Sequence, residues 1–248
     1  NISMLKTISL ALDLEIKSAK ELLMNNADSP AFYWQYDVKE REVLNNIMKK
    51  DSYFGGFIIL FETGDILMKV GDISEKIEMR KIYNTTKSRE IYVSYLDKRS
   101  EFYMAVPIIN ETGKYRGALI AKIKLKKLLE YVFERIDLGI ERTIFIVDSN
   151  RTIIKDKYTA NEGKSFREIT INKSQDFSQY TNIKQNSIYT VYKYDKNVTF
   201  FIVIKEYIAD SFSYVDNLKN DAEQIISESF VQFDNTLKKE AQKSYNIT

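Results

Sequence analysis

The chain has no histidine and no cysteine in 248 residues. Without histidine there is no Ser-His-Asp triad, no Cys-His dyad and no histidine-bound zinc. Without cysteine no disulfide staples the fold and no thiol does chemistry; the compartment stays open. These absences exclude mechanisms, not catalysis as a whole. Long apolar runs are missing too. The longest, residues 54–61 and 199–204, fall far short of the roughly 20 residues a spanning helix needs. No signal-peptide pattern is visible. Charge of either sign is not in excess: 37 Lys and Arg face 35 Asp and Glu, and a net +2 gives no argument for nucleic acid as a partner.

What is present is ordinary for a soluble globular protein, with 44% hydrophobic and 29% charged residues. The length suits one large domain or two small ones. Seventeen Tyr and 14 Phe supply aromatic mass for pockets as well as cores. The chain starts inside one helical pattern and stops inside another. It reads as a soluble piece of something longer.

Periodicity orders the elements. Leu5, Ile8, Leu12, Ile16, Ala19 and Leu23 recur at spacings of three and four, predicting a helix over residues 3–26, with Leu10 and Leu14 widening its apolar face. Asn25 to Pro30 stops it. A second helix is expected over 38–50, with Asp37 as its N-cap. Residues 57–61 and 66–70 read as a hairpin with Gly64 in the turn. A variable stretch follows, partly helical around 77–83. Strands are expected at 90–95, 101–109 and 117–125, closing a five-stranded antiparallel set. The most informative stretch is 102–125: strand, turn at Gly113, strand, then helix. Pro107 belongs at a strand edge or bulge. A helix over 126–136 then leads away to Gly139. Residues 143–154 repeat the first hairpin around Asp148-Ser149-Asn150, and strands at 188–194 and 199–205 close a second set around Asp195-Lys196-Asn197. After Ile208 the pattern is helical. Val215, Leu218, Ala222, Ile225, Ser229, Phe233 and Leu237 form a seam beside Phe230. Pairing with a second copy and packing on its own domain stand as alternatives for that seam.

The order of long helix, antiparallel module, connecting helix and second antiparallel module resembles the double Cache, tandem PAS-like, extracytoplasmic sensor domains of bacterial receptors. Residues 57–70, 91–125 and 138–165 carry the match, including Tyr95-Leu96-Asp97, Val106-Pro107-Ile108, Gly113 to Gly117 and Glu162-Gly163-Lys164-Ser165. The implied fold class is α+β: a long N-terminal helix along two PAS-like antiparallel sheet modules, with a helical C-terminus. The implied parts are a helix and linker over 1–36, a membrane-distal module over 37–137, a membrane-proximal module over 138–207 and a C-terminal helix over 208–248. The long C-terminal helix departs from the family. The resemblance also implies a parent anchored in the membrane by segments outside this chain, a small-molecule ligand in the distal module, no cofactor and no catalysis. The output domain would be a histidine kinase, a diguanylate cyclase or a chemotaxis transducer.

The amino-acid-binding branch of that family uses Arg-x-Trp-Tyr, Tyr-x-Asp and an Asp on the last strand. Here Arg89 and Tyr92 remain without the Trp, Tyr95 and Asp97 match, and Lys122 replaces the final Asp. The expected ligand-binding residues are therefore Arg89, Tyr92, Tyr95, Asp97, Tyr103 and Lys122. A Lys repels an ammonium and attracts a carboxylate, which points to an organic acid. Each residue also has a plainer reading. Lys122 would share a solvated strand face with Lys124 and Lys126. Arg89 would be a surface residue, Asp97 a turn cap, and the tyrosines core. Trp34 is expected to pin the first helix to the distal module. The phosphate-loop likeness at Gly163-Lys164-Ser165 fails at Tyr158, and the calcium-loop likeness at Asp148 fails at Thr152. Sequons at Asn84 and Asn197 are no more than an Asn-rich chain produces by chance. A structural or protein-interaction module with a vestigial pocket is the alternative function. A carboxylate hydrolase using Asp65, Asp97 and Asp148 is disfavoured, because these lie in separate turns.

Overall fold

The computed structural model of the chain describes residues 2–29, 37–73, 77–136, 142–156, 161–183, 186–195, 198–208 and 219–232. Helix α1 runs unbroken over Ile2–Ala27. Its buried residues are Leu5, Ile8, Ser9, Leu12, Ile16, Ala19, Leu23 and Ala27. That stripe follows from a period of 3.6, and each large aliphatic on it contributes about 1.5–3 kcal/mol by burial. The core cluster around the stripe contains residues of both sheets, so the helix packs along both modules. Leu10 and Leu14 do not widen the face. They are 60% and 57% exposed, because they point away from the strip that the sheets cover. Helix α2 spans Asp37–Lys50. The Asp37 side chain, Trp34 and Gly139 lie outside what is described.

The first sheet contains β1 (Phe54–Phe61), β2 (Ile66–Gly71), β3 (Tyr92–Val93), β4 (Glu101–Ile109) and β5 (Tyr115–Lys124), with helix α3 (Met79–Lys87) between β2 and β3. Helix α4 (Leu125–Glu134) leaves β5 directly. The second sheet contains β6 (Thr143–Val147), β7 (Ile153–Asp156), β8 (Phe177–Asn182), β9 (Ser187–Asp195) and β10 (Thr199–Tyr207). The strand orders are β2-β1-β5-β4-β3 and β7-β6-β10-β9-β8. Numbered within each module, these are the same topology, so the internal repeat is real. Strand β8 was not foreseen: Phe177-Ser-Gln-Tyr-Thr-Asn carries little apolar signal and forms a sheet edge. Residues 90–95 give only the two-residue β3. Pro107 sits beyond β3, where β4 pairs on one side only, which suits a residue with no N–H to donate.

Both faces of each sheet are covered. One face of each joins the α1 core. The opposite face of the first sheet gathers Ile58, Leu60, Tyr92, Tyr103, Ala105, Ala118 and Ile120 under Ile82 of α3. This explains why β1 reads as an unbroken apolar run instead of an alternation.

Four hairpin loops of five residues share one design. The first residue's N–H donates to the fifth residue's carbonyl in Phe61–Asp65 (2.8 Å), Asp97–Glu101 (2.8 Å), Asn110–Lys114 (3.0 Å) and Asp148–Thr152 (2.9 Å). The fourth residue takes a positive φ: Gly64, Ser100, Gly113 and Arg151. At Asp97 and Asp148 the side-chain Oδ1 also accepts the N–H groups of the third and fifth residues. Asx side chains favour such turns because they satisfy backbone donors locally.

An ion-pair cluster ties α4 to β7. Lys155, 7% exposed, lies 2.9 Å from Glu162 and 3.5 Å from Glu130, and Lys126 pairs with Glu162. Residues 181–188 and those from 206 onward form a separate unit. Within it, the Ile208 N–H donates to the Asn186 carbonyl at 2.9 Å. Its helix over 219–232 is exposed at every residue, Ile225 at 63% and Phe230 at 70%. No helix among the described residues is long and apolar enough to cross a membrane.

Candidate functional site

The first module carries a cavity of about 760 Å³ on the sheet face turned away from α1. Tyr103 of β4 and Tyr92 of β3 supply its floor, the loop of residues 94–99 one wall, and Ile77 and Glu78, just before α3, the other. Register places these groups together. Tyr92 pairs with Ala105, which shares a face with Tyr103 two residues away. The Ser94 hydroxyl accepts the Tyr103 N–H at 2.9 Å and donates to the Tyr95 carbonyl at 2.9 Å, which fixes the start of the loop.

Tyr92 is 6% exposed and donates its hydroxyl to Glu78 Oε2 at 3.0 Å. Burial, reinforced by that carboxylate, pushes the phenol up to about 12, so it remains a donor at any physiological pH. Tyr103 is equally buried, whereas Tyr95 is 84% exposed at the edge of the cavity. The ammonium of Lys81, on α3, stands 5.7 Å from the centroids of both Tyr92 and Tyr95 and 3.4 Å from Glu78 Oε2.

Four of the six expected residues meet here: Tyr92, Tyr95, Asp97 and Tyr103. Asp97 also performs its plainer role, since its Oδ1 holds the Arg99 and Glu101 N–H groups at 2.9 and 2.8 Å. Arg89 does not line the cavity. It follows α3 with φ 64°, and its guanidinium donates to the Gly113 carbonyl at 2.6 Å, tying the helix end to the β4–β5 loop.

Lys122 corrects both sequence readings. It is not on a solvated face, because its side chain is fully buried. It is not an unpaired cation awaiting an acid either. Its ammonium lies 2.9 Å from Glu101 Oε2 and donates to the Asp72 carbonyl at 2.9 Å. Burial alone would lower its pKa, but the hydrogen bond and charge of Glu101, with help from Asp72, hold it above the ordinary lysine value. The aliphatic stem passes over Gly55, where a Cβ would come within 3.2 Å of it. Gly55, Gly56 and Glu101 together were the sequence signal for a buried lysine. Sequence reasoning also missed Glu78, Ser94 and Arg99 as cavity residues. Glu78 stands three residues before Lys81 at the head of a helix, the one pattern that could have marked it.

No protein-family model matches the sequence, and no curated protein matches it. Solved structures do. An extracellular ligand-binding receptor from Desulfohalobium retbaense superposes with a TM-score of 0.57 at 15% identity over 82% of this chain. This chain spans only 39% of that receptor's length. The ligand-binding domain of the Pseudomonas fluorescens chemoreceptor CtaA, in complex with L-alanine, gives 0.53 at 16% identity, covering 82% of this chain and 94% of its own. The fold is the double Cache fold. The ligand-binding domain of the Pseudomonas aeruginosa amino-acid chemoreceptor PctC, in complex with GABA, agrees, with a TM-score of 0.54 at 12% identity over 80% of this chain and 94% of its own. At such identities the likeness describes the double Cache architecture, and the chemistry of the cavity must be read from its own residues.

Proposed function

We propose that this chain is the extracytoplasmic sensing domain of a membrane-anchored signalling receptor, and that it binds a small metabolite in the cavity of the first, membrane-distal module. The observation that carries this reading is the cavity itself. Two buried tyrosines, an exposed tyrosine and charges of both signs converge on one concave face of a double Cache fold. Receptor domains of that fold hold L-alanine and GABA in their own structures. An organic acid, the ligand class suggested by Lys122, now depends on Lys98 and Arg99, which line the cavity while Lys122 is committed to Glu101. Arg99 offers a planar fork suited to a carboxylate. A calorimetric screen of organic acids and amino acids against the folded domain tests the reading. At least one compound is expected to bind, and a panel that produces no heat speaks for a vestigial pocket.

The exposed helix over 219–232 supports a second element of the proposal. Its apolar residues Ile225, Ile226 and Phe230 face solvent, and a parallel pairing with the same helix of a second copy would cover them. A ligand would then act by favouring one arrangement of the paired helices over another. Disulfide crosslinking of Ile225→Cys in the full receptor should succeed where an unrelated surface cysteine fails. Equal crosslinking at both positions contradicts the pairing.

A further inference from the structure

The loop that walls the cavity is also bonded to the helix that leaves the first module. Asp97, Lys98 and Arg99 line the cavity, and the next residue, Ser100, closes the five-residue turn with φ 60°. Its carbonyl accepts the N–H of Leu125, the first residue of α4, at 3.0 Å. That N–H is one of the four that a helix leaves without an internal partner, and the N-cap, Lys124, supplies no side-chain cap. Glu101, the residue after Ser100, holds the Lys122 ammonium at 2.9 Å, two residues before that N-cap. Two adjacent residues of the loop therefore grip the junction of β5 and α4. Two of the comparable loops have Gly64 and Gly113 where this one has Ser100, and a non-glycine residue keeps such a backbone only where its surroundings fix it.

The second module grips the same helix turn. Lys126, next to Leu125, pairs with Glu162. Glu130, one turn on, lies 3.5 Å from Lys155, whose ammonium is also 2.9 Å from Glu162. Beside these residues the Ile153 N–H donates to the Lys164 carbonyl at 2.9 Å, and the Gly163 N–H donates to the Ile153 carbonyl at 2.8 Å. Leu125, Leu128, Leu129 and Val132 bury the opposite side of α4, so the helix is packed and shifts as a body.

We propose that α4 is the coupling element between the two modules, with Ser100 and Glu101 as its contacts to the cavity loop and the Lys155–Glu162 pair as its contact to β7. The proposal rests on the sensor reading above and deepens it. A ligand that favours one arrangement of residues 97–99 biases the position of Leu125, and the ion pairs one turn away carry that bias to the second module.

The test needs no ligand, so its outcome is separate from that of the calorimetric screen, which tests the sensor reading. Amide hydrogen exchange is followed by NMR in the whole folded domain at Leu125, Ile153 and Gly163, with Ile120 in the middle of β5 reporting global opening. Asp97 is exposed, and Asp97→Ala removes the acceptor of the Arg99 and Glu101 N–H groups, loosening the loop from within. Leu125 should then exchange about three- to tenfold faster, the scale of one hydrogen bond, and Ile153 and Gly163 about two- to fivefold faster, with Ile120 unchanged. Asn110→Ala makes a like change in the loop at the opposite end of β5 and should leave all three amides at their wild-type rates. Lys155→Met cuts the contact to β7. Combined with Asp97→Ala, it should preserve the Leu125 response and abolish the response of Ile153 and Gly163, judged against Lys155→Met alone. Melting curves confirm that each variant folds, and Glu162→Gln, which weakens the same tie, replaces Lys155→Met if that variant melts low. Amides at Leu125, Ile153 and Gly163 that ignore Asp97→Ala overturn the proposal. So do Ile153 and Gly163 amides that respond as strongly to Asn110→Ala, or that respond equally with the β7 contact intact and cut.

Discussion

Glu101→Ala is expected to cost about 3–5 kcal/mol of stability, because it leaves the Lys122 ammonium buried with its principal counter-charge removed. The side chain of Lys122 is fully buried, and Glu101 is 2.9 Å away. Asp72 cannot take over. Its carboxylate is 3.5 Å distant and its side chain is 80% exposed, so solvent screens it. Equilibrium urea unfolding measures the loss. The double variant Lys122→Met, Glu101→Ala should recover most of it, since an apolar side chain of similar length suits the buried path that the Lys122 stem takes over Gly55. The pH dependence has a definite sign. In the wild type the folded-state pKa of Lys122 is raised, so its contribution is complete below the unfolded lysine value and is lost only as pH rises through the folded one. In Glu101→Ala burial is expected to dominate and depress the folded pKa. The unfolded chain then binds more protons than the folded one, and stability should climb as pH rises toward the lysine range. A variant that loses under about 1 kcal/mol, the range of an exposed pair, would mean that Lys122 reaches solvent readily.

Gly117→Ala is expected to be the most damaging single methyl in the first module. Gly117 has φ 149° and lies between β1 and β4, pairing with Phe61 on one side and Ile108 on the other. A Cβ there would stand 1.8 Å from the Leu60 carbonyl oxygen. That atom belongs to the backbone of a central strand and cannot rotate away. The strained dihedral and the forced separation each cost about 1–3 kcal/mol, so the sum is about 2–6 kcal/mol. Gly113→Ala provides the comparison. It shares a positive φ, but nothing lies within 4 Å of its Cβ position, so only the dihedral term applies. Thermal melts of the two variants should differ clearly, with Gly117→Ala the lower. Equal melts would mean that β1 and β5 separate at Leu60 without penalty.

The parts of the fold that were legible in the sequence are those fixed by local periodicity. The α1 stripe, the paired hairpins at 57–70 and 143–154 and the strands around Gly113 all rest on spacings within one element. What escaped depends on partners distant in sequence. Lys122 alternates along β5 like a solvent-facing residue, and only Glu101 and the glycines at 55 and 56 reveal that its face is buried. Leu10 and Leu14 look like core until the width of the covered strip is known. Arg89 and Tyr92 are near neighbours in sequence, yet the left-handed turn at Arg89 sends one to the Gly113 loop and the other into the cavity. Tyr92, Tyr95, Asp97 and Tyr103 were legible as a group because they cluster within one strand–loop–strand passage. Glu78 was not, since the segment just before α3 reaches the cavity from outside that passage.

The central claim is that a metabolite sits against Tyr95 and Arg99 at the cavity of the first module. The most direct measurement titrates the compound found in the calorimetric screen into the Tyr95→Ala plus Arg99→Ala variant. Both side chains are exposed, so the fold should melt as the wild type does. The account predicts a loss of affinity of about tenfold or more, the scale of removing one aromatic and one charged contact. Binding of undiminished affinity by a variant that melts normally would place the ligand elsewhere and contradict the account.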